Sequence, residues 1–121
     1  MSDKFLPKLS QNLLENLNNE KYCDITIEVG NDSSVKIFRA HMVILNCRSP
    51  YFQTILSTNE NETPIKLPNI SAEIFQIILR YIYGGILSLN EFDGSDIIKI
   101  LKAADELSLE ELIKYLQSFF D

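Results

Sequence analysis

Apolar residues recur along the chain with two different periods, and the changes of period mark the boundaries of the predicted elements. Between residues 4 and 18 the spacing is three and four residues, which predicts an amphipathic helix. Its apolar positions are Phe5, Leu6, Leu9, Leu13, Leu14 and Leu17. They cover about half of the helix circumference. Two interpretations follow: a well-buried core helix, or a helix that covers its own domain with one edge and a partner with the other.

A strand-like alternation replaces the helical period in the next segment. Residues 24–29 alternate polar and apolar side chains, which predicts a strand with one buried face. Residues 30–34 have turn chemistry, and the alternation resumes through Val35 and Ile37. Together they predict a β-hairpin. The positions expected to face the core in its first strand are Ile25, Ile27 and Val29.

Two further short segments are predicted to be extended. Ile65–Leu67 lies between two prolines, which favours a short edge strand. Residues 86–89 follow a glycine pair and predict another brief extended piece.

Five later stretches have the apolar spacing or the length of helices. They cover residues 40–47, 50–57, 72–83, 93–107 and the segment after Ser108. Ser49-Pro50 predicts an N-cap followed by proline at the first helical position. Ser71 is a second N-cap, and Gly84-Gly85 ends the helix that it begins. Ser108 to Glu111 has the S-x-x-E spacing of a capping box.

The order of these elements predicts an α+β fold in which a small sheet, made of the hairpin and short edge strands, is covered by about six helices. A chain of 121 residues suits one domain over 1–121, with the leading helix at 4–18 and the core at 22–121. The final residues LIKYLQSFFD are still periodic, so we expect further modules to follow in a longer protein.

Charge and composition exclude several classes of partner. The net charge of −6 disfavours DNA or RNA, because phosphate binding requires a cationic surface. No apolar run approaches 18 residues and no signal sequence is recognisable, so we expect no membrane partner and a cytoplasmic or nuclear location. Cys23 and Cys47 have no metal-site or redox spacing and are predicted to be small buried hydrophobes.

The chain offers no catalytic, metal or cofactor constellation, so we predict no enzyme, no cofactor and no small-molecule substrate. His41 is the only histidine and has no second ligand at metal spacing. It is expected to be a buried ring that hydrogen-bonds where the hairpin meets the next helix. Asp24 is expected to accept hydrogen bonds at the start of the hairpin. With Ser49 and Pro50, these residues form a predicted structural junction.

Nearly the whole chain resembles the BTB/POZ domain family. Each matching segment is short, but their order and spacing are those of the family. They are the leading helix, Cys23-Asp24-Ile25, Phe38-Arg39-Ala40-His41 with Val43-Ile44-Leu45, Ser49-Pro50-Tyr51-Phe52, Ile65-Lys66-Leu67, Phe75 with residues 78–85, and residues 103–107.

This resemblance implies a non-enzymatic interaction module that self-associates, typically as a homodimer through the leading helix, and serves as a scaffold or adaptor ahead of Kelch, TLDc or other modules. The implied interface residues are Phe5, Leu6, Leu9, Leu13 and Leu17. Two alternative roles are substrate adaptor of a cullin–RING ubiquitin ligase and recruitment of transcriptional co-regulators. The implied cullin-facing positions are Tyr51, Phe52, Leu56, Glu60 and Glu62.

Two positions depart from the family pattern. Cullin-recruiting members often carry a hydrophobic-x-Glu motif, and the matching residues here are Glu60-Asn61-Glu62. A glutamate in place of the hydrophobic residue disfavours cullin binding, because burying an unpaired charge is costly. Many transcriptional members place Lys or Arg after the Ala-His pair, where this chain has Met42. Asp24 is then expected to lack the cation that completes a charged pocket.

Overall fold

A computed structural model describes residues 4–17, 19, 21–31, 34–58, 64–90 and 92–118. Within these residues the predicted α+β architecture is confirmed, with a three-stranded sheet and six helices. The elements in chain order are α1 (Leu6–Leu17), β1 (Ile25–Val29), β2 (Lys36–Ala40), α2 (Met42–Arg48), α3 (Pro50–Thr58), β3 (Ile65–Leu67), α4 (Ala72–Gly84), α5 (Gly94–Glu106) and α6 (Glu110–Gln117).

The sheet has the strand order β2-β1-β3. β1 and β2 form the predicted antiparallel hairpin, with Ile25 opposite Ala40 and Val29 opposite Lys36. β3 lies on the other side of β1 and runs parallel to it, with Ile27 opposite Ile65. The side chains of Ile25, Ile27 and Val29 are all buried, as their alternation predicts. The sheet therefore has one face in the core.

The second hairpin strand turns its two predicted apolar positions outward. Facing residues of paired strands lie on the same side of a sheet. Phe38 is opposite buried Ile27, so it points inward, whereas Ile37 is opposite half-buried Glu28 and is 61% exposed. The alternation is correct but Val35 and Ile37 face solvent. Residues 86–89 form no strand, so the prediction of a short strand there is wrong.

α4 is the central helix of the core. It contacts α1, α2 and α5, and seven of its thirteen residues are buried. Its ring of Phe75 meets that of Phe38 edge-on at 5.1 Å between centroids, which fixes the helix against the sheet. The predicted caps of α4 are confirmed: Ser71 Oγ accepts a hydrogen bond from Ile74 N, and Gly85 ends the helix at φ 67°.

The predicted capping box at Ser108 is wrong. Ser108 has a left-handed backbone conformation with φ 58°, and its side chain does not cap α6. Its N–H instead donates to Asp105 O, while Leu109 N donates to Ala104 O. This pair of hydrogen bonds is the Schellman arrangement that ends a helix. Ser108 therefore closes α5, and burial of Leu109 holds the turn in place.

The two cysteines are less enclosed than predicted. Cys47 is exposed and Cys23 is half-buried, and neither forms a disulfide bond. Cys47 lies on the face of α2 that points away from the buried Leu45, so it never enters the core.

Candidate interaction surface

α1 lies on the outside of the domain and packs against α4 with one edge only. None of its residues is buried, although Leu13, Leu14 and Leu17 are half-buried against the rest of the chain. Ser10 Oγ donates a hydrogen bond to Gly84 O at the end of α4. The interpretation of α1 as a well-buried core helix is therefore wrong.

The other edge of α1 presents large apolar side chains to solvent. Phe5, Leu6 and Leu9 are 70%, 57% and 53% exposed. Val43 on α2 and Ile86 after α4 are also exposed, at 74% and 42%. Neither was among the predicted interface residues. The sequence does not single out Val43, because it belongs to the apolar MVIL run of α2, of which only Leu45 is buried.

These side chains surround a groove of about 670 Å³ between the first half of α1, α2 and the C-terminal end of α4. Leu6, Leu9 and Leu13 line it, together with Val43 and Ile86. Of the other predicted interface residues, Phe5 is exposed at the start of α1, and Leu17 packs against the core at its far end. We call this groove with the exposed edge of α1 the α1 face.

The sole histidine ties the hairpin to α4. His41 N donates to Tyr83 Oη at 2.8 Å, and His41 Nδ1 lies 2.8 Å from the same oxygen. His41 Nε2 is 3.1 Å from Lys21 O, which can only accept, so Nε2 carries a proton in this pair. Tyr83 is buried, and this burial raises its pKa to about 12; the hydrogen bond from His41 N lowers the pKa, while negative charge at Cys23 and Asp24 raises it.

Asp24 acts as a cap for α2 from a distant position in the chain. His41 occupies the N-cap position of α2 but makes no side-chain cap hydrogen bond. Asp24 Oδ1 instead accepts from Met42 N at 2.7 Å. In this chain the Asp24 carboxylate therefore accepts a hydrogen bond from the backbone N–H of Met42. The family pattern pairs the same carboxylate with a cation.

Ser49 is a buried polar residue at the start of α3. Its Oγ accepts from Phe52 N at 3.3 Å and donates to Leu107 O at 2.8 Å. The first bond caps α3, as predicted, and the second joins α3 to the end of α5. Pro50 follows as the first helical residue and is exposed.

The residues implied to face a cullin do not form one exposed surface. Phe52 is fully buried and Leu56 is 8% exposed, because these positions of α3 point into the core. The assignment of Phe52 as a partner-facing residue is therefore corrected. Tyr51 is half-buried, and its ring meets Phe52 edge-on at 5.5 Å. Glu60 and Glu62 lie outside the described residues.

Within the described ranges no group of three or more His, Cys, Asp or Glu side chains is placed to hold a metal ion. In the same ranges, no helix combines the length and the apolar composition that a membrane crossing requires.

Comparisons with known proteins place these features in a family. The family model described as "BTB/POZ domain" matches residues 13–121. "BTB/POZ domain-containing protein 9" of Drosophila melanogaster is 33% identical over an alignment of 99 residues, which covers 78% of this chain and 13% of that protein. The chain thus spans a small part of that relative's length.

Two solved structures have a similar fold. The structure of the BTB (Tramtrack and Bric a brac) domain of human gigaxonin has a TM-score of 0.79 and 28% identity, covering 98% of this chain and 93% of that chain. The BTB domain of zebrafish PATZ1 also has a TM-score of 0.79, at 21% identity, covering 99% and 94%.

Proposed function

Because the chain belongs to the BTB/POZ domain family, whose domains are protein–protein interaction modules, we propose that it pairs with a second copy of itself through the α1 face. The observation that supports this is the apolar exposure of α1. Leu6 and Leu9 are each more than half exposed and adjoin a groove lined by Val43 and Ile86. Contiguous apolar surface of this kind in a folded domain is typical of an interaction site.

The charges of the α1 face favour an apolar contact between copies. Within Leu6–Leu17 the only charged residues are Lys8 and Glu15, so few ionised groups would lose water on contact. Arg48 at the groove is held against the domain, with Nε donating to Ile82 O at 3.1 Å and its guanidinium 5.3 Å from the Tyr81 ring centre. Burying apolar area contributes about 25 cal/mol per Å², and this term opposes the repulsion between two chains of net charge −6.

A two-fold contact suits this geometry. The exposed edge of α1 and the groove beside it belong to one continuous patch. In a symmetric dimer the same patch is used by both copies, so the α1 edge of one copy meets the α1 face of the other. We propose that the pair serves as a scaffold within a longer protein, which joins the partners that its other parts bind.

Sedimentation equilibrium at micromolar concentrations tests self-association. The wild-type chain is expected to have twice the monomer mass, and Leu9→Glu is expected to be monomeric because it places a charge in the contact. Ile98→Glu is the matched control: Ile98 is 43% exposed but lies on α5 and does not line the groove. A monomeric wild-type chain, or equal dissociation by both variants, contradicts the proposal.

A further inference from the structure

We propose that the outer edge of β2 binds an extended, acidic segment of a partner protein, which joins the sheet as an added strand. This surface is separate from the α1 groove, and the proposal does not depend on self-association.

β2 is an edge strand with one neighbour among the described residues. In the order β2-β1-β3, its inner side pairs with β1 from Lys36 to Ala40. Alternate N–H and C=O groups of such a strand point away from its neighbour and are available to another chain. Five residues of regular antiparallel geometry therefore present a short template for one more strand.

The side chains along this edge are apolar and cationic. Ile37 is 61% exposed on the outer face of the sheet, and Val35 just before the strand is 42% exposed. Lys36 and Arg39 are also exposed, so two of the five residues of β2 carry positive charge in a chain of net charge −6. An edge of this composition favours a partner strand with acidic side chains.

A shallow depression of about 210 Å³ adjoins the strand. Its apolar lining comes from Leu17 of α1, Ile37 and Phe38 of β2, and Leu79 of α4, and Lys36 and Arg39 contribute its cationic part. Alternate side chains of an added strand point to opposite faces of the sheet. An added strand would lie over this depression, and half of its side chains would share the outer face of the sheet with Ile37.

The two cations are positioned but remain accessible. Lys36 Nζ lies 5.3 Å from the centre of the Phe38 ring, and Arg39 Nη2 donates to Cys23 O at 3.4 Å. Both interactions are at the surface, and each cation has further donors with which to meet a carboxylate. The same charges disfavour a second copy of β2 as the occupant, because antiparallel pairing would bring two lysines and two arginines into one short ladder.

The probe is an acetylated and amidated heptapeptide of alternating glutamate and valine, added to the ¹⁵N-labelled chain. The expected result is that the largest amide shifts fall on Lys36–Ala40 rather than on α1. Absence of β2 shifts at millimolar peptide, or shifts confined to the α1 face, overturns the proposal.

Charge reversal tests the role of the two cations. Lys36→Glu combined with Arg39→Glu is expected to weaken binding about tenfold or more, and to allow binding of a lysine–valine heptapeptide. The control pair Lys99→Glu and Lys102→Glu makes the same change of net charge on exposed positions of α5 and is expected to bind as wild type. Unchanged affinity of the β2 variant contradicts the proposal.

Backbone pairing is tested on the wild-type chain, which avoids any effect of the variants on folding. Two versions of the heptapeptide are compared, one N-methylated on its odd-numbered residues and the other on its even-numbered residues. Each version lacks the N–H donors along one of its two edges. One of the two is expected to lose binding and the other to retain it. Equal binding by both excludes strand addition.

Discussion

A Cβ atom added to Gly84 would lie 2.5 Å from Cγ of Leu14, which is closer than two such carbons approach in proteins. Because Gly84 has no side chain, the backbone at the end of α4 directly contacts the Leu14 side chain of α1. The neighbouring hydrogen bond from Ser10 Oγ to Gly84 O holds the same contact. The position of α1, and with it the α1 face, depends on glycine at this site.

We expect Gly84→Ala to lower the free energy of unfolding by about 1–3 kcal/mol, because the added methyl group overpacks the contact with Leu14. Urea unfolding at a fixed protein concentration measures the change, since dimerisation makes stability depend on concentration. Gly94→Ala is the control, because a Cβ at Gly94 meets no atom within 4 Å.

Leu14→Ala provides the second half of a double-mutant cycle. Without the Leu14 side chain, Gly84→Ala is expected to cost clearly less than it does in the wild-type chain. Equal costs in both backgrounds would show that the clash does not control the α1 position.

Ser49→Ala is expected to destabilise the domain more than Ser71→Ala. Both serines cap a helix, which is worth about 1 kcal/mol. Ser49 is also buried and donates to Leu107 O, so its loss leaves that carbonyl unpaired and costs about 1–3 kcal/mol more. Chemical denaturation of the two variants gives the comparison, and equal losses contradict the proposed link between α3 and α5.

Stability is expected to fall between about pH 10 and pH 12 because of Tyr81. Burial, followed by its hydrogen bond to Glu111 and the charge of that carboxylate, raises the pKa of Tyr81 to about 12, while Arg48 lowers it. The unfolded side chain ionises near pH 10. In this window the folded state therefore holds the proton that the unfolded state loses.

The slope of this loss is at most about 1.4 kcal/mol per pH unit for one tyrosine. The stabilisation is complete below the unfolded pKa and disappears as pH rises through the folded pKa. Tyr81→Phe is expected to remove this part of the slope while retaining the ring. If the difference in unfolding free energy between wild type and Tyr81→Phe is constant from pH 9 to pH 12, the assignment is wrong.

Glu60 replaces the hydrophobic residue of the family's cullin-binding motif, and the effect of this replacement can be measured by cullin binding. Glu60→Leu restores the hydrophobic residue of the family motif and is expected to strengthen binding to a cullin N-terminal domain about tenfold or more, because a hydrophobic side chain is buried in a contact at less cost than a charge. The control is Glu110→Leu, an equal change at an exposed position of α6. Calorimetric titration that detects no binding by Glu60→Leu at tens of micromolar contradicts this role.

Helix positions were predictable from the sequence because the apolar spacing of α1, α4 and α5 is regular and α4 has recognisable caps at Ser71 and Gly85. The prediction of a capping box at Ser108 was wrong because this segment fits two local patterns. Its S-x-x-E spacing is a capping box, yet the burial of Leu109 stabilises a Schellman turn at the end of α5 instead.

Contacts between distant segments were not predictable from local pattern. The parallel pairing of β3 with β1 involves three residues, too few to encode a partner or a direction. Likewise, the apolar run of α2 does not reveal that Leu45 is buried while Val43 is exposed, because α2 contacts α4, a helix that only the fold brings to it. The α1 face was predicted in part from its wide apolar arc, but Val43 and Ile86 required the structure.

Isotope-filtered nuclear Overhauser measurements on a mixed sample of ¹³C-labelled and unlabelled chains test the pairing surface most directly. Intermolecular contacts are expected at the methyl groups of Leu6, Leu9, Val43 and Ile86. Intermolecular contacts at Ile98 of α5 in their place, or none in a sample of dimer mass, would contradict this expectation.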